Sequence, residues 1–351
     1  MNAYPCRTTG RQRGFSTAEL LVAVAIGLLL MSGVLGLFVT NKSVFTNTTH
    51  ATELQENGRF ALDYLLQDLR HAYFFGEKQY DGFKYDPNAW PKNADVTNNC
   101  GEEDSKQNDV LNFNDDSEAP SFPLLGTTAT SVDPIGCISN ALHVAGIPSD
   151  ILLTKSARPH PLYSTADLTY GKVYIASNRL DGSLRLFTAD TDMPNISSAC
   201  TDQSNCYPYG AYWPYQFSAY YIRAGNTPTL ARMVLEWDAT DGMTVVSEDL
   251  ADGVEGMRLL YGVSADGTPP TYVSANTVSN WNDVVSVQVH LLLRTTQPDR
   301  SYQDALSYQM GDLTVTATQG TAVSQGAQLR NFRRSVISST VMLRNKPLMD
   351  N

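Results

Sequence analysis

The sequence predicts an α+β fold, one long N-terminal helix followed by an antiparallel β-sheet domain. Three observations carry this. Leu20 to Val39 is apolar for about 20 residues, the length that crosses a hydrocarbon core as a helix. Directly after it, Leu54, Gly58, Ala61, Leu65, Leu69 and Ala72 recur at spacings of three and four, one apolar stripe on a helix. Beyond about residue 75, Gly, Pro, Asn, Asp, Ser and Thr separate short β-branched and aromatic runs, and strands that follow a helix rather than alternate with helices make an antiparallel sheet packed on it.

Taken in order, residues 1–14 are basic, with Arg7, Arg11 and Arg13 and no acid, which fits the positive-inside rule for a membrane anchor. Residues 15–39 form the apolar half of the helix and 40–76 its amphipathic half, about 60 residues in all, with Glu53, Gln55, Glu56, Arg59, Asp63, Gln67 and Asp68 mostly off the stripe. The apolar run is too long for a secretory signal and passes without a cleavage site into further helix. Glu19 stands at its threshold, where a carboxylate is costly unless a cation meets it. Residues 77–140 are polar and turn-rich, too long for a bare connection, and read as a surface insertion or subdomain. Residues 141–351 are the β-rich domain. There "KVYIASNRLDGSLRLFTA" reads as a strand pair around Asp181-Gly182, and "YQFSAYYIRAG" with "TPTLARMVLEWD" as a hairpin around a Gly-Asn turn. "VVSVQVHLLL" and "VMLRN" read as further strands.

Composition narrows the function. Twenty-five basic residues stand against 36 acidic ones, a net charge of −11, so the basic footprint of a nucleic-acid binder is missing. Of the five cysteines, Cys6 precedes the apolar run and Cys100, Cys137, Cys200 and Cys206 follow it. An even number beyond the anchor reads as disulfides rather than a metal centre. "CTDQSNC" looks like a small closed loop, which leaves Cys100 with Cys137, although four cysteines allow three connectivities. The "NDDSE" cluster at 114–118 has the oxygen-rich spacing calcium takes, without an EF-hand pattern, and reads as a solvated turn. His50, His71, His143, His160 and His290 form no metal pair at helical spacing, and no HExxH, GxSxG or phosphate-loop pattern occurs. The expectation is no enzyme, no cofactor and no metal. The aromatic run "YPYGAYWPYQFSAYY" (207–221) reads as packed strand core, with a recognition surface as the alternative.

At "RGFSTAELLVAVAIGLLL" the chain resembles the prepilin-type signal of type IV pilins and pseudopilins: a basic leader, Gly, Phe, and Glu four residues on. The resemblance implies peptidase cleavage between Gly14 and Phe15, N-methylation of Phe15, and pairing of Glu19 with the positive N-terminus of a neighbouring subunit. "LQENGRFALDYLLQDLRHAYFFG" (54–76), "AYYIR" (219–223), "LADGVEGMRLLYGV" (250–263), "WNDVVSVQVHLLLRT" (281–295) and "RRSVISSTVMLRN" (333–345) are similar, in the same order, to segments of the PilW family of minor pilins. That resemblance implies a pilin-like fold and a non-catalytic minor pilin that primes pilus assembly near the tip. Its implied partners are other minor pilins and the major pilin through the N-terminal helix, prepilin peptidase, the inner membrane before assembly, and a large tip adhesin. Nothing in the chain binds nucleotide. The alternatives are a J-type minor pseudopilin of type II secretion, or a tip-located adhesin or DNA-binding subunit.

Overall fold

The computed structural model describes residues 14–78, 96–100, 109–111, 122–129, 135–144, 146–200, 206–240, 242–264, 268–299, 301–316 and 329–346. Residues 1–13, with Cys6 and the three arginines, lie outside the described residues, as does the acidic cluster at 114–118. The chain divides into two compact units, Met1–Thr52 and Glu53–Asn351.

In the first unit the described residues are almost wholly α1, a helix that spans Thr17–His71 and so continues into the second. Its apolar side chains from Leu20 to Val39 are exposed along the whole run, and this helix is long and apolar enough to cross a membrane. Past the apolar run, Thr40, Thr46, Thr48 and Thr49 return their hydroxyls to the carbonyls of Gly36, Lys42, Val44 and Phe45. These local bonds satisfy polar side chains on a helix without needing water or a partner.

In the second unit the last turns of α1 bury Leu54, Gly58, Ala61, Leu65, Leu66, Asp68 and Leu69. The predicted stripe is buried, and two residues outside it are buried as well: Leu66, and Asp68, which spacing placed off the stripe. Gln216 donates to both Asp68 oxygens at 3.0 Å, and the Tyr220 hydroxyl donates to Oδ2 at 2.5 Å. These bonds offset the desolvation of a carboxylate on an apolar face. Gly58 lets the helix lie directly against Leu293 and Ile337, for a Cβ there would meet Leu293 Cδ1 at 2.3 Å and Ile337 Cδ1 at 2.9 Å. The helix ends at a turn in which Tyr73 takes a φ of 66° and its hydroxyl donates to the Trp281 carbonyl.

Eight strands form the first sheet: β1 (Val96–Thr97), β2 (Leu124–Thr128), β3 (Asp150–Ala157), β4 (Val173–Ser177), β5 (Gly182–Leu186), β6 (Ala211–Arg223), β7 (Thr229–Asp238) and β8 (Gly242–Asp252). Their order is β1-β8-β7-β6-β3-β2, with β4 and β5 branching from β6. Both predicted hairpins are present, β4 with β5 and β6 with β7. The first turns earlier than Asp181-Gly182 suggested. Asn178 Oδ1 accepts from the amides of Leu180 and Asp181, and β5 already begins at Gly182. The sheet is antiparallel except where β1 lies parallel to β8.

A second sheet, ordered β10-β9-β11-β14, contains β9 (Val254–Val263), β10 (Thr271–Val273), β11 (Val284–Arg294) and β14 (Arg334–Met342), all antiparallel. β12 (Ser307–Met310) and β13 (Leu313–Thr316) make a separate hairpin. Arg258 on β9 ties the three together, bonding Asp150 of β3 at 3.2 Å and Asp312 of the hairpin turn at 2.7 Å. Burial raises the Asp150 carboxyl, against the Leu259 amide and Arg258, which favour its charged form.

One glycine is required by the turn from β8 to β9. Gly253 has a φ of +78°, and a Cβ there would lie 2.4 Å from the Arg294 carbonyl oxygen. Left-handed backbone and a backbone clash add in the same direction. Gly253→Ala is expected to lower stability by about 2 kcal/mol, read as a lower urea midpoint of the full chain in detergent with unchanged slope.

Candidate functional site

Two places bear on function: the start of α1 and the C-terminal sheet. At the first, Gly14 and Phe15 precede the helix and are exposed. Ser16 is its N-cap. The Ser16 Oγ accepts from the Glu19 amide at 3.2 Å, while the Ser16 amide donates to Glu19 Oε2 at 2.9 Å. This reciprocal capping box satisfies two of the amides that a helix start leaves without partners, and it puts a negative charge at the positive end of the dipole. Within one chain, then, Glu19 already has a role, and the Ser-x-x-Glu spacing that signals it was readable from the sequence.

The C-terminal sheet holds a buried ion cluster that charge counting did not reveal. Arg294 ends β11 and Arg334 begins β14, and the two stand directly opposite in the ladder. Two guanidinium groups so placed repel. Glu255 of β9 resolves this: its Oε1 lies 3.3 Å from Arg294 Nη1, and its Oε2 lies 2.6 Å from Arg334 Nε. Arg334 also reaches Asp304 at 3.2 Å, and Asp304 accepts from the Tyr308 hydroxyl. Arg294 donates to the Asn226 carbonyl at 2.6 Å and stacks on the Phe332 ring, 4.4 Å from its centroid. All four ionic side chains are 1% exposed or less. Burial pulls the Arg294 guanidinium down from its usual range, and the carboxylate of Glu255 opposes it. The sequence signal was a charge inside each apolar run: Glu255 and Arg258 in "GVEGMRLL", Arg294 after "VHLLL". Helix α1 is pinned to this region, since Glu53 accepts from the amide and hydroxyl of Thr296 and Asn345 donates to the Arg70 carbonyl.

The cysteines beyond the apolar helix pair as Cys100–Cys137 and Cys200–Cys206. The first spans 37 positions and the second six. On loop-closure entropy the Cys100→Ala/Cys137→Ala variant should lose about 4 kcal/mol and the Cys200→Ala/Cys206→Ala variant about 2, measured by chemical unfolding. Of the segment read as an insertion, the described parts join the core: β2 pairs with β3, and Cys100, Val110 and Leu124 are fully buried. Aromatics of the 207–221 run pack inward, with Tyr207, Tyr212, Trp213, Phe217, Tyr220 and Tyr221 all buried, while Tyr209 stays exposed.

A cleft of about 730 Å³ is lined by Tyr170, Trp237, Arg158 and Lys172 together with residues of β4, β6 and β7. Among the described residues no three His, Cys, Asp or Glu side chains gather to hold a metal. His290, on β11, has its Nε2 buried against Gly311, and burial lowers its basicity.

No curated protein and no solved structure matches the chain. Residues 219–345 match the family model of PilW, type IV pilus-assembly protein W. They run from the middle of β6 through the last strand, and so include the whole ion cluster and the second sheet. Over this C-terminal region the chain is similar to the PilW family of type IV pilus-assembly proteins.

Proposed function

We propose that the chain is a non-catalytic minor pilin that primes type IV pilus assembly and takes a place near the filament tip. The observation that carries this reading is a PilW-type C-terminal region in a chain whose N-terminal part forms an apolar helix with an acid in its first turn. In this reading prepilin peptidase cuts between Gly14 and Phe15 and Phe15 becomes the methylated N-terminus. The helix holds the subunit in the inner membrane with its C-terminal domain in the periplasm. It then leaves the bilayer to pack against other minor pilins and the major pilin, with a tip adhesin as a further partner. An exposed apolar helix that finds lipid first and neighbouring helices later satisfies the same hydrophobic requirement in both places. Glu19 and a neighbour's N-terminal ammonium fix the register, because two desolvated charges that miss each other are strongly penalised.

Deletion of the gene tests the reading. Surface pili and twitching motility should be lost while secretion of folded proteins continues. Loss of secretion with pili intact would assign the chain to the J-type pseudopilins instead.

A further inference from the structure

Lys155, on β3, is fully buried. Its Nζ donates to the backbone oxygen of Asp109, and burial lowers its pKa from 10.5 to about 7, so much of it is a neutral, nucleophilic amine near neutral pH. The residue it touches holds a carboxamide in place. Asp109 Oδ1, on a side chain only 8% exposed, accepts from Asn99 Nδ2 at 2.9 Å and from the Leu111 amide at 3.2 Å. At its other end the Asn99 carbonyl accepts from the Val110 amide at 3.1 Å, which polarises the Cγ–O bond toward attack. The Tyr215 hydroxyl bonds the Val110 carbonyl, and the disulfide at the adjacent Cys100 fixes the backbone next to Asn99. Asp109 thus holds both groups, the Lys155 amine on its backbone oxygen and the half-buried Asn99 carboxamide on its carboxylate, so the amine, amide and carboxylate that transamidation needs meet at one residue.

We propose that Lys155 and Asn99 are the two ends of an intramolecular amide cross-link, formed without any other protein, with Asp109 moving the proton. The Nζ lone pair attacks Asn99 Cγ, and a C–N bond forms. Asp109 takes a proton from Nζ and passes it to Nδ2. The Cγ–Nδ2 bond then breaks and ammonia leaves, so no oxidant or energy source is consumed. The product ties the segment before Cys100 to the centre of β3, independently of the nearby disulfide.

Intact mass spectrometry of the full chain, purified in detergent with disulfides reduced, reads the reaction directly. The chain should be lighter than its sequence by one ammonia. Digestion should give one branched peptide joining Asn99 to Lys155, with trypsin unable to cut after Lys155. Lys155→Arg and Asn99→Ala should each restore the full mass, and Asp109→Ala should leave most of the chain unreacted. Three results would overturn the proposal: a full-mass wild type whose Lys155 reacts with amine reagents after denaturation, a loss of water mapped to Lys155 and Asp109, or an ammonia loss that persists in Lys155→Arg. Because the wild type is itself measured, a variant that fails to fold does not leave the question open.

Discussion

Glu255→Gln should destabilise the C-terminal domain by about 3–5 kcal/mol, enough to leave much of the chain unfolded or degraded at growth temperature. The substitution keeps the shape of the side chain and removes its charge. Arg334 would keep Asp304, but Arg294 would face it across the ladder with no carboxylate between them. Replacing one member of a buried ion set strands the remaining charge, whereas replacing the whole set by apolar groups of similar volume is often neutral. A variant carrying Glu255→Met, Arg294→Leu, Arg334→Leu and Asp304→Leu should therefore recover much of what Glu255→Gln loses. Chemical unfolding of the full chain in detergent checks both. An unchanged midpoint for Glu255→Gln would mean that the cluster contributes nothing to folding.

The second large effect belongs to Glu19. Glu19→Ala should abolish incorporation into filaments while leaving cleavage after Gly14 intact. By itself that result has two explanations, because Glu19 also closes the capping box with Ser16. Glutamine separates them. Its side-chain oxygen still accepts from the Ser16 amide, since Ser-x-x-Gln caps a helix as Ser-x-x-Glu does, but it carries no charge for a neighbour's ammonium. If charge pairing between subunits is the role, Glu19→Gln assembles no better than Glu19→Ala, and Ser16→Ala assembles normally. Pili counted from sheared cells, beside immunoblots for the processed subunit, give the answer. Full assembly of Glu19→Gln would reduce the acid to a helix cap.

Much of the fold was legible because its signals are local. The stripe from Leu54 to Leu69 is a periodicity, and the β6–β7 hairpin follows from a turn between two β-branched runs. What stayed hidden depends on partners far away in sequence. Asp68 looked like a solvated residue until Gln216 and Tyr220, some 150 positions later, supplied its hydrogen bonds. The division into two sheets was equally invisible, since β8 and β9 are separated by Gly253 alone and read as one run. The parallel β1–β8 pair involves only two residues on β1, too few to carry a pattern. Of the candidate site, the acid at position 19 was evident from its misfit with the apolar run. The Arg-Glu-Arg-Asp cluster was not, because each charge sits singly in its own strand or loop and only the β9–β11–β14 register brings them together.

The position of Arg334 has a consequence for biogenesis. A ribosome makes Glu255 long before it makes the last strand, so the two arginines that neutralise this acid reach it at different times. Until residue 334 emerges, the β9–β11 pair holds Glu255 with one partner and leaves the β11 edge bare. The second sheet is thus complete only in a product that includes Arg334. A product that stops before β14 would keep this open edge and stay exposed to proteases.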